Sequence, residues 1–179
     1  LLKKATFTEI FSKTYIPLLN HLGLLWQTDS IKPAHEHFIS NLIYQKIALN
    51  IAVLPNIETT NDPVNVLFLP FGEIHDLGLF FLNYYLKSKG ERTVYLGKSI
   101  PFDNLFYVNS QIKNITWINY FMIDRPVEEK TAFLNNVEKL VAHTKNRCII
   151  VGNVWEEFSK ENKNKKIIFK TSLEALIAN

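Results

Sequence analysis

The stretch Val64-Asn65-Val66-Leu67-Phe68-Leu69, followed by Pro70-Phe71-Gly72-Glu73-Ile74-His75-Asp76-Leu77-Gly78, decides the fold. Its first six residues are almost continuously apolar, the pattern of a strand covered on both faces of a sheet. The residues after it read as a turn entering a helix, because Leu77, Phe80, Phe81 and Tyr84 recur at helical spacing. Working outward, Arg92–Leu96, Ile115–Phe121, Cys148–Val151 and Lys166–Phe169 are four further strand candidates. Phe133, Val137, Leu140 and Val141 mark another helix between them. Thr171 and Glu174 have capping-box spacing before a last stripe of Leu173, Leu176 and Ile177. Strands alternating with helices predict an α/β domain over residues 64–179, a flavodoxin-like, doubly wound parallel sheet of five strands in the order 2-1-3-4-5.

Upstream the texture is different. Phe7, Phe11, Tyr15, Leu18, Leu22 and Leu25 step by three or four, which predicts one helical face. Pro17 should kink or divide that helix near Ile16. Thr28, Asp29 and Ser30 interrupt the run, and Pro33 suits the first turn of a second helix burying Phe38, Leu42, Ile43, Ile47 and Ile51. Residues 1–55 thus read as a helical bundle segment and 56–63 as a linker. Two helices cannot bury that many apolar residues against each other alone, and the chain opens on Leu1 rather than Met. It is therefore expected to be cut from a longer protein.

Composition excludes several classes. With 47% apolar and 21% charged residues, and only 6 glycines and 7 prolines among 179, the chain is neither disordered nor low-complexity. One cysteine, Cys148, permits neither an internal disulfide nor a Cys-rich zinc site, and reads as a small core residue. A net charge of +3 is too mild to argue for nucleic-acid binding by this chain alone. No apolar run suits a membrane span and no signal peptide opens the chain, so a cytoplasmic protein in a reducing compartment is expected. His21, His35 and His143 have no partner spacing and read as surface residues, and the basic run Lys160–Lys166 as a solvated connection.

Open parallel sheets bind ligands beyond the carboxyl ends of their strands. The loop after Leu69 lacks both the three-glycine dinucleotide spacing and the Gly-Lys-Ser/Thr of a phosphate loop. A receiver domain would end its third strand in aspartate, where this chain has Asn119-Tyr120. What the loop offers is His75 with Glu73 two residues before and Gly78 three after. A carboxylate on one ring nitrogen fixes the tautomer and makes the other nitrogen a better metal ligand. Gly78 removes bulk where a large planar group could approach. A histidine at such a turn is equally a helix cap or a solvent-facing residue, so the loop alone leaves both readings open.

Glu73-Ile74-His75-Asp76-Leu77-Gly78, with Leu96-Gly97 and Pro101 after it, resembles the Asp/Glu-x-His-x-x-Gly loop of cobalamin-binding modules. Trp26, nine further residues, then Glu36-His37 is similar to the MerR-type adenosylcobalamin-dependent photoreceptor repressors of the CarH/LitR group. The resemblance covers nearly the whole chain. It implies adenosylcobalamin as cofactor, with His75 as the lower cobalt ligand in place of the cofactor's own benzimidazole. Trp26 would pack at the upper face, making residues 1–55 an upper-face cap, and Glu36 would bind the adenosine ribose. His37 would become the upper ligand once light breaks the cobalt–carbon bond. The implied protein is a homo-oligomer, dimer or tetramer, that binds operator DNA through an N-terminal domain absent here and has no membrane partner.

Two positions depart from that pattern. Asn119-Tyr120 stands where a Ser or Thr would flank the benzimidazole tail, and Gly152-Asn153 where two glycines would follow the fourth strand. Asn119 and Gly152 are the candidate tail contacts, and Trp117, Tyr120 and Trp155 narrow the slot if they point into it. No acid–base or nucleophilic constellation is readable, so an enzyme is not expected; the resemblance implies a sensory domain controlling oligomerisation and DNA binding. The alternatives are a degenerate module acting in oligomerisation or protein interaction without cofactor, and a corrinoid carrier subunit of a methyltransferase.

Overall fold

A computed structural model describes residues 5–55 and 63–177, and the chain divides into two compact units, residues 1–55 and 56–179. The expected linker at 56–63 lies, except for Pro63, outside the described residues.

The helical unit begins at Thr6, whose hydroxyl accepts the Glu9 N–H at 3.2 Å while the Glu9 carboxylate accepts the Thr6 N–H at 2.8 Å. This reciprocal cap starts α1 (Phe7–Ile10), which runs through a π-helical turn (Phe11–Tyr15) into α2 (Ile16–Gln27). Pro17, expected to kink or divide the helix near Ile16, stands in the first turn of α2, directly after the π-helical turn that separates α2 from α1. The Ile16 N–H reaches back five residues to the Phe11 carbonyl, and the wider turn precedes the missing proline donor. The extra residue also rotates the apolar stripe: Phe11 and Leu22 are buried, whereas Leu18 is exposed.

In α3 (Pro33–Ala52) Pro33 opens the helix, where its missing N–H costs nothing. His35, although exposed, does have a partner, because its Nδ1 accepts the Lys32 N–H at 3.1 Å and closes the helix start. Ile43 and Ile47 are buried, but Phe38 and Leu42, expected inside, are exposed. Helical spacing identifies an apolar stripe; it does not say along how much of its length a neighbour lies.

The second unit carries β1 (Val64–Pro70), β2 (Thr93–Ile100), β3 (Ile115–Tyr120), β4 (Arg147–Val151) and β5 (Ile167–Lys170). All neighbours pair in parallel, in the order β2-β1-β3-β4-β5 read from the sequence. The connections are α4 (Leu77–Ser88), α5 (Phe102–Gln111), α6 (Val127–Val141), a 3₁₀ turn at Asn153–Trp155 with α7 (Glu156–Glu161), and finally α8 (Leu173–Ile177). Helices α5 and α7 were not legible in the sequence. Ser172 rather than Thr171 caps α8, its hydroxyl accepting the Ala175 N–H at 3.2 Å.

Alternation along the strands splits the core into two layers. On one face Val66, Phe68, Trp117, Cys148 and Ile150 pack with Leu105 of α5 and Phe133, Val137 and Leu140 of α6. On the other, Leu67, Leu69, Ile118 and Val151 meet Leu79, Leu82 and Leu86 of α4 and Leu173 of α8. β1 is buried at every residue, as its apolar run requires of a central strand. No helix among the described residues is long and apolar enough to cross a membrane.

Candidate functional site

The loop from Pro70 to Asp76 stands at the carboxyl end of β1, beside the neighbour β3 on one side and β2 on the other. Its backbone is fastened at several points. Gly72 adopts φ +81°, a left-handed conformation that glycine enters without strain, and the Glu73 N–H closes a turn onto the Pro70 carbonyl at 2.9 Å. β2 holds the loop from the side. The Ser99 hydroxyl accepts the Gly72 N–H at 3.1 Å, and the Ser99 N–H donates to the Glu73 carbonyl at 3.2 Å. Tyr95 donates its hydroxyl proton to Asp76 at 3.0 Å, just where α4 begins. Register shifts in the β1–β2 pairing and positive φ at Gly97 and Ser99 turn the end of β2 toward the loop. Tyr95 and Ser99 were missed in the sequence, since only the bulged edge strand brings them here.

Glu73 and His75 form the chemical centre of this loop. The Glu73 carboxylate is buried at 1% exposure, while the His75 side chain is 43% exposed. Glu73 Oε1 faces three N–H groups: His75 Nδ1 at 2.6 Å, the Ile74 backbone at 2.9 Å and the His75 backbone at 3.1 Å. Burial pushes the Glu73 carboxyl up, but the His75 ring and these two backbone donors outweigh it and hold the group below its ordinary value. Its other oxygen, Oε2, is buried without a hydrogen-bond partner. An ionised carboxylate kept this dry is costly unless it does something for a neighbour. With Nδ1 donating to Glu73, a neutral His75 carries its lone pair on Nε2, which has no partner among the described residues. Phe71, Ile74, Met122 and Ile123 are exposed large apolar side chains on this loop and on the segment that follows β3.

The two glycines have structural explanations of their own. A Cβ on Gly78 would stand 2.5 Å from Leu173 Cδ1 and 3.6 Å from the Tyr120 ring, so the space beside it is filled by α8 and β3. A Cβ on Gly152, at φ +143°, would stand 2.6 Å from the Phe121 carbonyl oxygen. Asn119 does not face Gly78. It shares the strand face of Trp117, toward the α5–α6 layer, and donates from Nδ2 to Cys148 Sγ and to the Ile149 carbonyl, both at 3.4 Å. Its Oδ1 is buried and unpartnered. Trp117 and Trp155 also belong to the α5–α6 layer, where Trp155 packs edge-on against Phe121 with centroids 4.9 Å apart. Of the three bulky residues considered for the slot, only Tyr120 lies at Gly78. Its phenol is pushed up by burial and then by the Glu174 and Glu73 carboxylates.

In the helical unit, Trp26 at the end of α2 is 55% exposed. Glu36 and His37 lie in the first turns of α3 and are paired with each other, His37 Nδ1 to Glu36 Oε2 at 2.8 Å. Glu36 Oε1 takes the Ser40 hydroxyl, so both carboxylate oxygens have partners inside α3. His37 thus repeats the arrangement at His75, an exposed imidazole with a carboxylate on Nδ1. No cluster of three or more His, Cys, Asp or Glu residues suited to a metal occurs among the described residues. Each imidazole would serve a metal singly.

Residues 1–49 match the profile of a family described as B12 binding domain. No curated protein matches the chain. Among solved structures, the monomethylamine corrinoid protein of Methanosarcina barkeri superposes with a TM-score of 0.74 at 13% identity, over 94% of this chain and 80% of that one. A cobalamin-binding protein from Desulfitobacterium hafniense DCB-2 gives 0.52 at 15% identity, over 89% of this chain and 75% of that one. The chain therefore has the fold of corrinoid proteins. Tested against a corrinoid, its residues fit at the metal and not at the tail. His75 offers cobalt a lone pair oriented by a buried carboxylate, whereas the position beside Gly78 is filled by Leu173 and Tyr120.

Proposed function

We propose that this chain binds a cobalt corrinoid, with His75 Nε2 as the lower ligand. The observation that carries the reading is the buried, half-unsatisfied Glu73 carboxylate, which fixes the tautomer of an exposed imidazole at the carboxyl end of the central strand. The B12-domain match in the helical unit and the corrinoid-protein fold support it. The exposed Phe71, Ile74, Met122 and Ile123 add apolar surface beside that imidazole, suited to a broad, flat ring.

The finer reading is a regulatory domain that takes adenosylcobalamin and passes its state to an oligomer bound to DNA. Trp26, Glu36 and His37 support this through their spacing, and His37 through its Glu36-oriented ring. When bound, that cofactor would supply a light-sensitive cobalt–carbon bond. His75 would hold the metal from below, and the chain itself would turn over no substrate. Coupling to assembly requires that the cofactor bind assembled and separated chains differently. A second reading, a corrinoid carrier serving a methyltransferase, has the likeness to the monomethylamine corrinoid protein in its favour.

The test is a visible spectrum of the full chain after mixing with adenosylcobalamin in the dark and gel filtration. A protein-bound spectrum that His75→Ala abolishes is expected. His37→Ala should keep dark binding and change only the product of illumination. A free-cofactor spectrum, or no bound cobalt, would overturn the adenosylcobalamin reading. Methyl transfer to or from a partner enzyme would decide for the carrier.

A further inference from the structure

Glycine 78 opens a space that the protein itself fills. Leu173 Cδ1 would be 2.5 Å from a side chain there, and the Tyr120 ring 3.6 Å. Leu173 is no surface group that swings freely. It is buried in the layer formed by Leu67, Leu69, Leu79, Leu82 and Val151. Its helix is capped by the Ser172 hydroxyl, which accepts the Ala175 N–H, and is tied to α4 where the Tyr85 hydroxyl donates to the Ile177 carbonyl at 3.1 Å. Asn119, the polar side chain that ought to meet a buried base, points into the opposite layer, and Gly152 is closed off by the Phe121 backbone. The imidazole is accessible, and the space beside Gly78 is occupied.

We infer that the corrinoid this chain selects is one whose nucleotide tail is absent, of the cobinamide class, rather than a cobalamin. The inference rests on the corrinoid reading above. His75 needs only the cobalt and the flat ring. A cobalamin must surrender its own base to His75, and that base then finds Leu173 in place of a channel. Inserting it would require exposing one buried leucine, a penalty of about thirtyfold in affinity.

The experiment titrates the full chain, in dim red light, with adenosylcobalamin and with adenosylcobinamide, which share the upper ligand and differ in the nucleotide tail. Binding is read from the visible spectrum and from cobalt retained on gel filtration. Adenosylcobinamide should bind at least about thirtyfold more tightly in the unaltered chain. Leu173→Ala should narrow that ratio by raising cobalamin affinity alone, and Tyr120→Ser should do the same by a route that leaves α8 intact. Cobalamin binding as tightly as cobinamide overturns this inference and leaves the corrinoid reading standing. An unchanged ratio in both folded variants also overturns it. Failure of both ligands to bind overturns the corrinoid reading itself, and the selectivity with it.

Discussion

Alanine at position 78 separates a glycine kept for packing from one kept for a cofactor. In Gly78→Ala the new methyl would lie 2.5 Å from Leu173 Cδ1, well inside contact distance. Overpacking of this kind costs about 1–3 kcal/mol. The better helix propensity of alanine returns up to about 1 kcal/mol, less so near the start of α4. A net loss of about 1–2 kcal/mol is expected without any ligand. Leu173→Ala alone should cost about 2–4 kcal/mol, since the side chain is buried among leucines. The double variant should be more stable than the sum of the two losses by about 1–2 kcal/mol, because truncation removes the atom the new methyl meets. Gly152→Ala is the control. Its clash is with the Phe121 backbone oxygen at φ +143°, so about 3 kcal/mol or more is expected and Leu173→Ala should bring no relief. Urea unfolding of the whole chain measures all five variants, the Gly152→Ala/Leu173→Ala pair included, in a Trp26→Phe background where fluorescence comes from Trp117 and Trp155, both buried in the sheet unit. Gly78→Ala with an unchanged midpoint, or a double variant with strictly additive losses, would refute the packing argument and return Gly78 to the ligand.

Two further outcomes follow from the buried polar groups. Glu73 has a folded pKa below its unfolded value, so its stabilisation is complete above the ordinary carboxylate range and is lost as pH falls through the lowered value. Glu73→Gln removes this dependence. The stability gap between the two proteins should therefore close on acidification in urea melts, and a gap constant with pH would count against an ionised Glu73. Asn146 is buried, with Oδ1 accepting the Ile115 N–H at 2.7 Å and Nδ2 donating to Asn109 at 2.6 Å. Asn146→Ala should cost about 2 kcal/mol by leaving a buried donor unpaired, and amide exchange at Ile115 should quicken; unaltered exchange would show another acceptor takes over.

The parts of the cofactor reading were legible to different depths. Glu73 and His75 lie two residues apart, and so short a spacing on one turn nearly dictates their contact. Glu36 and His37 are adjacent and meet for the same local reason. The tail positions were not legible. Asn119 and Tyr120 are neighbours, and strand alternation sends one to each layer. Which of them met Gly78 depended on which layer α4 and α8 share. Leu173 read only as part of a terminal helical stripe; its contact with Gly78 spans nearly the whole length of the sheet unit.

The sequence by itself determined the parallel sheet, its strand order and the pairing of imidazole with carboxylate. Each of these follows from periodicity or from contacts a few residues apart, which local sterics and the right-handed crossover leave little freedom to vary. Only the tertiary structure decided that Ser99 and Tyr95 fasten the histidine loop and that α8 fills the space beside Gly78. Those outcomes depend on which distant side chains arrive at the same few cubic ångströms. Close packing settles that competition only when all the elements are in place.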